Sequence, residues 1–352
     1  MNILLFSSGV LLLLLVAHDL VTTVLSPNGA GWLTRRLGAI LWSILLRLRR
    51  ITQTRALLSL GGTLIMLSVL LVWLLGIWLA TTMMIASEER SIINMETNTS
   101  ATLVSKIYYT GYTLSTLGNG DLEPGNPFWE VFTALFSFTG LIFISTAITY
   151  LIPVLSAEIE KQRLSVYIAT LGCSVSELIQ QTWNGKDLCA LATHISPLTG
   201  WIIHHTQNHH VYPILHYFHT ERKKDAFVLN ITNLDEMLTL IALVPETQRP
   251  TNQELQPLRH AISHYLATVQ QAYIRATPTA PPLPNLSELP VDLVVDQTAW
   301  QEHYEYWAER RKLLQGLIQN DGWEWNDLLA GSQQSATESF EPYLKPKQFE
   351  YR

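Results

Sequence analysis

Three long apolar runs constrain this chain more than any other feature. Ala56–Ala86 is a stretch of 31 residues without a charged side chain, interrupted only by Gly, Ser and Thr. About 20 apolar residues cross a bilayer, so this run spans with room for tilt. Pro127–Ala157 carries only Glu130, near its start, and Ile3–Leu25 is also long enough, with His18 and Asp19 in its second half. These runs account for a composition that is 48% hydrophobic and 15% charged, unusual for a soluble chain. No basic residue precedes the first run, and Asp19 and Pro27 replace a small-residue cleavage pattern. A retained helix is therefore expected rather than a signal peptide.

Basic residues set the expected orientation. Arg35, Arg36, Arg47, Arg49, Arg50 and Arg55 lie between the first two runs, and Lys161 and Arg163 follow the third. Both places are cytoplasmic by the positive-inside rule. Three crossings put the N-terminus outside, Ser87–Val104 outside, and the large C-terminal part inside. Trp32–Arg50 holds an apolar stretch of 10 residues, Leu37–Leu46, too short to span. Its arginines and tryptophans suit a helix in the cytoplasmic interface, with a tilted extension of a spanning helix as the alternative. The arginines do not recur every third residue within an apolar helix, so no voltage-sensing segment is expected. Asp19, at membrane depth, is expected near that interface, paired with one of these arginines.

Between the second and third runs the chain reads Thr116-Leu117-Gly118-Asn119-Gly120-Asp121. Glycines spaced by one residue let alternate positions reach φ > 0 without a Cβ clash, so a short backbone can turn its carbonyls inward. Flanked by two spans, this string resembles the selectivity filter of potassium channels, in which rings of carbonyl oxygens replace an ion's hydration shell. The resemblance covers about residues 56–157. It implies an outer helix at 56–86, a pore helix at 105–115, the filter at 116–121 and an inner helix at 127–157. Ion-binding residues are then Thr116, Leu117, Gly118, Asn119 and Gly120. Asp121, Tyr108 and Tyr109 support the filter, Gly140 is a gating hinge or a packing glycine, and Pro153 loosens the inner helix near its cytoplasmic mouth. One pore loop cannot enclose a pathway, which implies a homotetramer. The family places Tyr or Phe where this chain has Asn119. A smaller polar residue withholds apolar packing against the pore helix and lets water behind the filter, which relaxes selectivity.

The implied fold class is an all-α membrane protein: a tetrameric potassium-channel-like pore with a mainly helical cytoplasmic C-terminal domain. Its segments are an N-terminal helix at 1–25, a basic interfacial segment at 26–55, the pore module at 56–157, the helical domain at 158–330 and a tail at 331–352. K+ is the implied permeating ion, with no organic cofactor. The implied partners are further copies of the chain and membrane lipids. From Ser156 onward the chain carries 15 basic and 22 acidic residues, which argues against nucleic acid.

That region has helical periodicity in Leu164, Ile168, Leu171, Val175 and Leu178, so the inner helix is expected to continue to Thr182. Asp225–Leu243, Thr251–Arg275 and Val291–Asn320 are further expected helices. Thr277–Pro290, with five prolines, is a linker. No glycine-rich dinucleotide fingerprint, Walker loop, EF-hand loop or catalytic motif occurs, so no enzyme is expected. Seven of the 11 histidines lie between His194 and His219. His205 with His209, and His216 with His219, could each face together on one helical turn and there bind a metal or sense pH, although Pro197, Pro213 and the Asn208 neighbourhood are expected to break the segment into short helices. The preferred reading is a mixture of buried, hydrogen-bonded histidines and exposed surface ones without such a role, with a proton sensor or a metal site as the alternatives. Cys173 and Cys189 lie on the reducing side, so no structural disulfide is expected. Trp300, Trp307, Trp323 and Trp325, with Tyr304 and Tyr306, suggest core or interface. A non-conducting subunit with a vestigial pore loop is the alternative function.

Overall fold

The computed structural model describes residues 1–26, 29–52, 54–284, 289–290, 293 and 300–329. The tail expected at 331–352 lies outside them. The chain forms two units, the first comprising Met1–Leu45, Gly61–Ser156 and His210–Tyr217, the second the remainder.

Helices dominate both. In chain order they are α1 (Ile3–Leu25), α2 (Trp32–Thr52), α3 (Gly61–Ala86), α4 (Leu103–Leu114), α5 (Pro127–Leu171), α6 (Val175–Thr182) and α7 (Ala192–Val211). There follow α8 (Phe227–Ile241), α9 (Asn252–Ala272), α10 (Trp300–Tyr306), α11 (Ala308–Asn320) and α12 (Trp325–Leu329). Two three-residue strands, β1 (Ile92–Asn94) and β2 (Leu122–Pro124), pair antiparallel with Ile92 opposite Pro124. An all-α expectation missed this ribbon because three residues carry too little periodicity to read.

In the first unit, α1, α3 and α5 are long and apolar enough to cross a membrane, and α2 is not. Small residues bring α1 and α3 together. A Cβ at Gly9 would meet Ala80 O at 2.7 Å, and one at Gly76 would meet Val16 Cγ2 at 2.7 Å. Close backbone approach of this kind drives helix association in lipid, where burial of apolar surface gives little. Val16, Leu20, Val69, Trp73, Ile77 and Phe136 form the core.

Asp19 corrects one expectation. It is buried, and its carboxylate accepts from Leu33 N (2.8 Å), Thr34 N (3.2 Å), Thr34 Oγ1 (2.7 Å) and Trp73 Nε1 (2.9 Å). The N-terminus of α2 supplies the unpaired amides and positive dipole end that an arginine was expected to supply. One carboxylate thus joins α1, α2 and α3.

In the second unit, α5 ends at Leu171, short of the expected Thr182. Gly172 stands at φ +151°, and a Cβ there would meet Leu178 N at 2.4 Å. Ser174 then caps α6 by accepting from Glu177 N. The helix expected at 291–320 is broken at Trp307, whose φ/ψ of −89°/4° are not helical, and residues 291–292 and 294–299 lie outside the described ones. Trp323, Trp325 and Tyr304 are buried, whereas Tyr306 is exposed.

Helix α8 is buried at every position although its sequence, FVLNITNLDEMLTLI, is not uniformly apolar. Its polar groups are matched by neighbours. Asp235 receives Arg259 Nη1 at 2.9 Å and Arg310 Nη2 at 2.7 Å, and Glu236 receives Arg311 Nε at 2.8 Å. Asn230 donates to Ser165 O at 3.0 Å and Ser165 Oγ at 2.9 Å. Burying a charge is tolerable only with such partners. Burial alone would raise the Asp235 carboxyl, but Arg259 and Arg310 outweigh it and hold it below the usual range.

A candidate ion-conduction filter

The filter string begins where α4 stops, and the helix is held from both sides. Trp78 of α3 donates its indole N–H to Ile107 O (3.1 Å) and Thr110 Oγ1 (3.0 Å). Gly111 lets this ring approach, with a Cβ there 3.1 Å from Trp78 Cζ2. From the other side, Tyr109 OH donates to Thr133 Oγ1 of α5 at 2.9 Å. At the start of α4, the buried Lys106 donates to the carbonyls of Glu88 (2.6 Å) and Glu89 (3.0 Å).

The C-terminus of α4 is a Schellman cap. Leu117 N donates to Tyr112 O at 2.9 Å and Thr116 N to Thr113 O at 3.0 Å, with Thr116 at φ +60°. That position usually holds glycine, because a β-branched residue there costs on the order of 1–3 kcal/mol. Gly118 (φ +60°) and Gly120 (φ +76°) follow, so left-handed positions recur at every second residue from 116 to 120. A Cβ at either glycine would meet nothing within 4 Å, so only the backbone conformation demands glycine there. The C-terminal, electronegative end of α4 lies immediately before this string.

Beyond the string, β2 ties the chain back. Met95 N donates to Asp121 O at 3.2 Å, and Gly125 N to Ser91 O at 2.9 Å. Asp121 is placed here by its carbonyl; it is exposed.

Asn119 is not left without support. Its amide donates to the hydroxyl of Tyr108, one of the two tyrosines expected behind the filter. A polar tie stands where the family packs an aromatic ring. Tyr109 instead holds α5, as above. The missed residue is Tyr112, whose hydroxyl donates to Leu122 O at 3.2 Å and whose ring meets those of Tyr108 (5.1 Å) and Tyr109 (5.2 Å) edge-on. Its place four residues after Tyr108 on a helix was the available signal. A pocket of about 280 Å³ lies beside the string, lined by Tyr109, Tyr112, Thr116, Gly118 and Ser137 among others.

Gly140 sits within an unbroken helix, against the end of α4. A Cβ there would lie 1.8 Å from Leu114 O, so glycine is required for contact. Pro153 also lies inside α5.

The histidines divide. His205 and His209 share α7, with ring centroids 6.0 Å apart, and both are buried. Burial first, then the Lys161 charge, pushes His205 down to about 3, which removes it from physiological titration. His216 and His219 do not share a turn, because the 3-10 helix Pro213–Tyr217 ends between them. His219 pairs instead with Asp321 at 3.2 Å. Among the described residues, no three His, Cys, Asp or Glu side chains are grouped to hold a metal.

Residues 65–157 match the ion-channel family. The whole chain is similar to an uncharacterized membrane protein, YdjJ, of Bacillus subtilis (strain 168), with 32% identity over 330 residues, covering 90% of this chain and 94% of that one. The chain belongs to the ion-channel family, in its two-transmembrane potassium-channel-type form. The ion-channel domain accordingly takes in most of α3, the whole of α4, the string 116–121, and α5 as far as Ala157. This family points away from an enzyme. No solved structure matches the chain.

Proposed function

We propose that four copies of this chain assemble in a membrane around a shared pathway that conducts K+. Carbonyls of Thr116, Leu117, Gly118 and Asn119, with the Thr116 hydroxyl, would form stacked cation sites. The observation that carries this reading is the recurrence of left-handed backbone at Thr116, Gly118 and Gly120 directly after a capped helix. Residues 116–121 are all exposed in one chain, as expected of a wall completed by other copies. Phe128, Val131, Leu135, Phe138 and Ile142 of α5 are exposed too, at helical spacing, a face suited to lipid or a neighbouring subunit.

The C-terminal domain is cytoplasmic in this reading and sets open probability through α5, which runs without interruption from Pro127 to Leu171. The Asn119–Tyr108 tie supports the filter less stiffly than an aromatic would, giving K+ preference below that of an Asn119→Tyr variant. Purified protein in liposomes tests the reading. K+ flux exceeding Na+ flux, and lost in Gly118→Ala and Gly120→Ala, is the expected result. Absence of flux in the native protein would leave a non-conducting subunit as the better description.

A further inference from the structure

The matched interior of α8 has one gap. Asn233 is 1% exposed, and its Nδ2 donates to Cys173 O at 2.9 Å, which fixes how the amide is turned. Its Oδ1 has no hydrogen-bond partner among the described residues. Native interiors seldom leave a carbonyl in that state. Asn233 lines a cavity of about 270 Å³, together with Ser174, Leu240, Leu283, Arg311 and Trp325.

Charge narrows what could occupy it. Glu236 and Arg311 are the ionisable residues on the described wall, and they neutralise each other. Each nitrogen of the guanidinium is also engaged, Nε by Glu236, Nη1 by Pro281 O (3.0 Å) and Nη2 by Pro282 O (2.8 Å). An ionic ligand would lose its hydration without gaining a counter-charge. Much of the remaining wall is apolar, including Leu240, Leu283 and Leu328. The volume falls between a benzene-sized cavity of about 150 Å³ and the smallest drug-like pockets of about 300 Å³. It suits a body of one fused bicyclic ring.

We propose that this cavity binds a small uncharged molecule with a flat apolar body and an N–H donor, the donor directed at Asn233 Oδ1. Ser174, on the wall, lies three residues beyond the end of α5. The site does not depend on the conduction reading, because occupancy is measured by binding.

Benzimidazole, at mildly alkaline pH where it is uncharged, is a suitable probe, with 1-methylbenzimidazole as a partner lacking the donor. Titration calorimetry on the full-length protein in detergent should show saturable benzimidazole binding, about tenfold or more tighter than the methylated probe. Asn233→Leu should remove that preference. Because Asn233 also holds Cys173 O, a second variant is needed. Leu283→Trp, at a wall position 43% exposed, should fill the cavity and abolish binding with the circular dichroism spectrum unchanged. Equal binding of both probes, binding retained in a folded Leu283→Trp protein, or no saturable binding of benzimidazole would each overturn the proposal.

Discussion

Helix α8 buries all 15 of its residues within one chain, whereas the filter string leaves all six of Thr116–Asp121 exposed. Both concentrate polar groups. In α8 the carboxylates of Asp235 and Glu236 meet arginines of the same chain, so the helix is finished when the domain folds. In the filter string, the backbone carbonyls of Thr116–Gly120 have no such partners among the described residues, and that of Asp121 is tied to Met95 N. The difference separates two kinds of order. Substitution in α8 should act on folding, and substitution in the filter on conduction.

The largest effect is expected where that separation is cleanest. Gly118→Ala should reduce K+ flux in liposomes to background while barely shifting the melting temperature, because a Cβ there meets nothing and only a left-handed alanine, about 1–2 kcal/mol, is added. A matching collapse in stability would erase the distinction. Gly140→Ala, with its Cβ on Leu114 O, should instead lose flux and stability together.

Next in size is Asp235→Ala, which leaves Arg259 and Arg310 buried without their carboxylate. A loss of about 3–5 kcal/mol is expected in denaturant or thermal melts. An unaffected melt would mean that the arginines relax to solvent and that α8 is less closed than its burial implies.

Acid should find the same domain. An unfolded histidine takes up a proton near about 6.5, but buried His205 does so only at about 3. Its contribution is therefore complete above about pH 6.5 and declines as pH falls toward 3. Asp235, held low by its arginines, adds a further loss below the usual aspartate value. His205→Phe should flatten the upper part of this stability–pH curve, leaving the steeper acid limb. An unchanged slope would count against neutral burial.

The smallest effect concerns Tyr108→Phe. Removing the hydroxyl that receives the Asn119 amide should lower the K+ to Na+ permeability ratio severalfold without abolishing flux. Bi-ionic reversal potentials would measure it, and an unaltered ratio would make the tie incidental.

The three apolar spans and the left-handed backbone at Gly118 and Gly120 were legible because bilayer thickness and the φ > 0 requirement act on contiguous residues. The contact of Tyr108 with Asn119 follows from its place on α4. What closes around these elements was less so. Asp19 meets Thr34 and Trp73, and Tyr112 meets Leu122, through pairings that no local period encodes. Gly172 looked like an ordinary residue within a helical repeat, and only its φ and the approach of Leu178 show why α5 stops there. For His205 and His209 the i, i+4 spacing that would suit a metal pair equally places both rings in the core, as the plainer reading of buried histidines expected.

The carboxylate of Asp19 also has a bearing on how the protein is made. Its partner Trp73 lies 54 residues downstream. At about 5–20 residues per second, a ribosome delivers that indole some 3–11 s after Asp19 has emerged. During this interval the Asp19 side chain lacks its full set of donors, and α2 can supply only part of them. The first helix therefore acquires its full set of contacts only once the third has been synthesised.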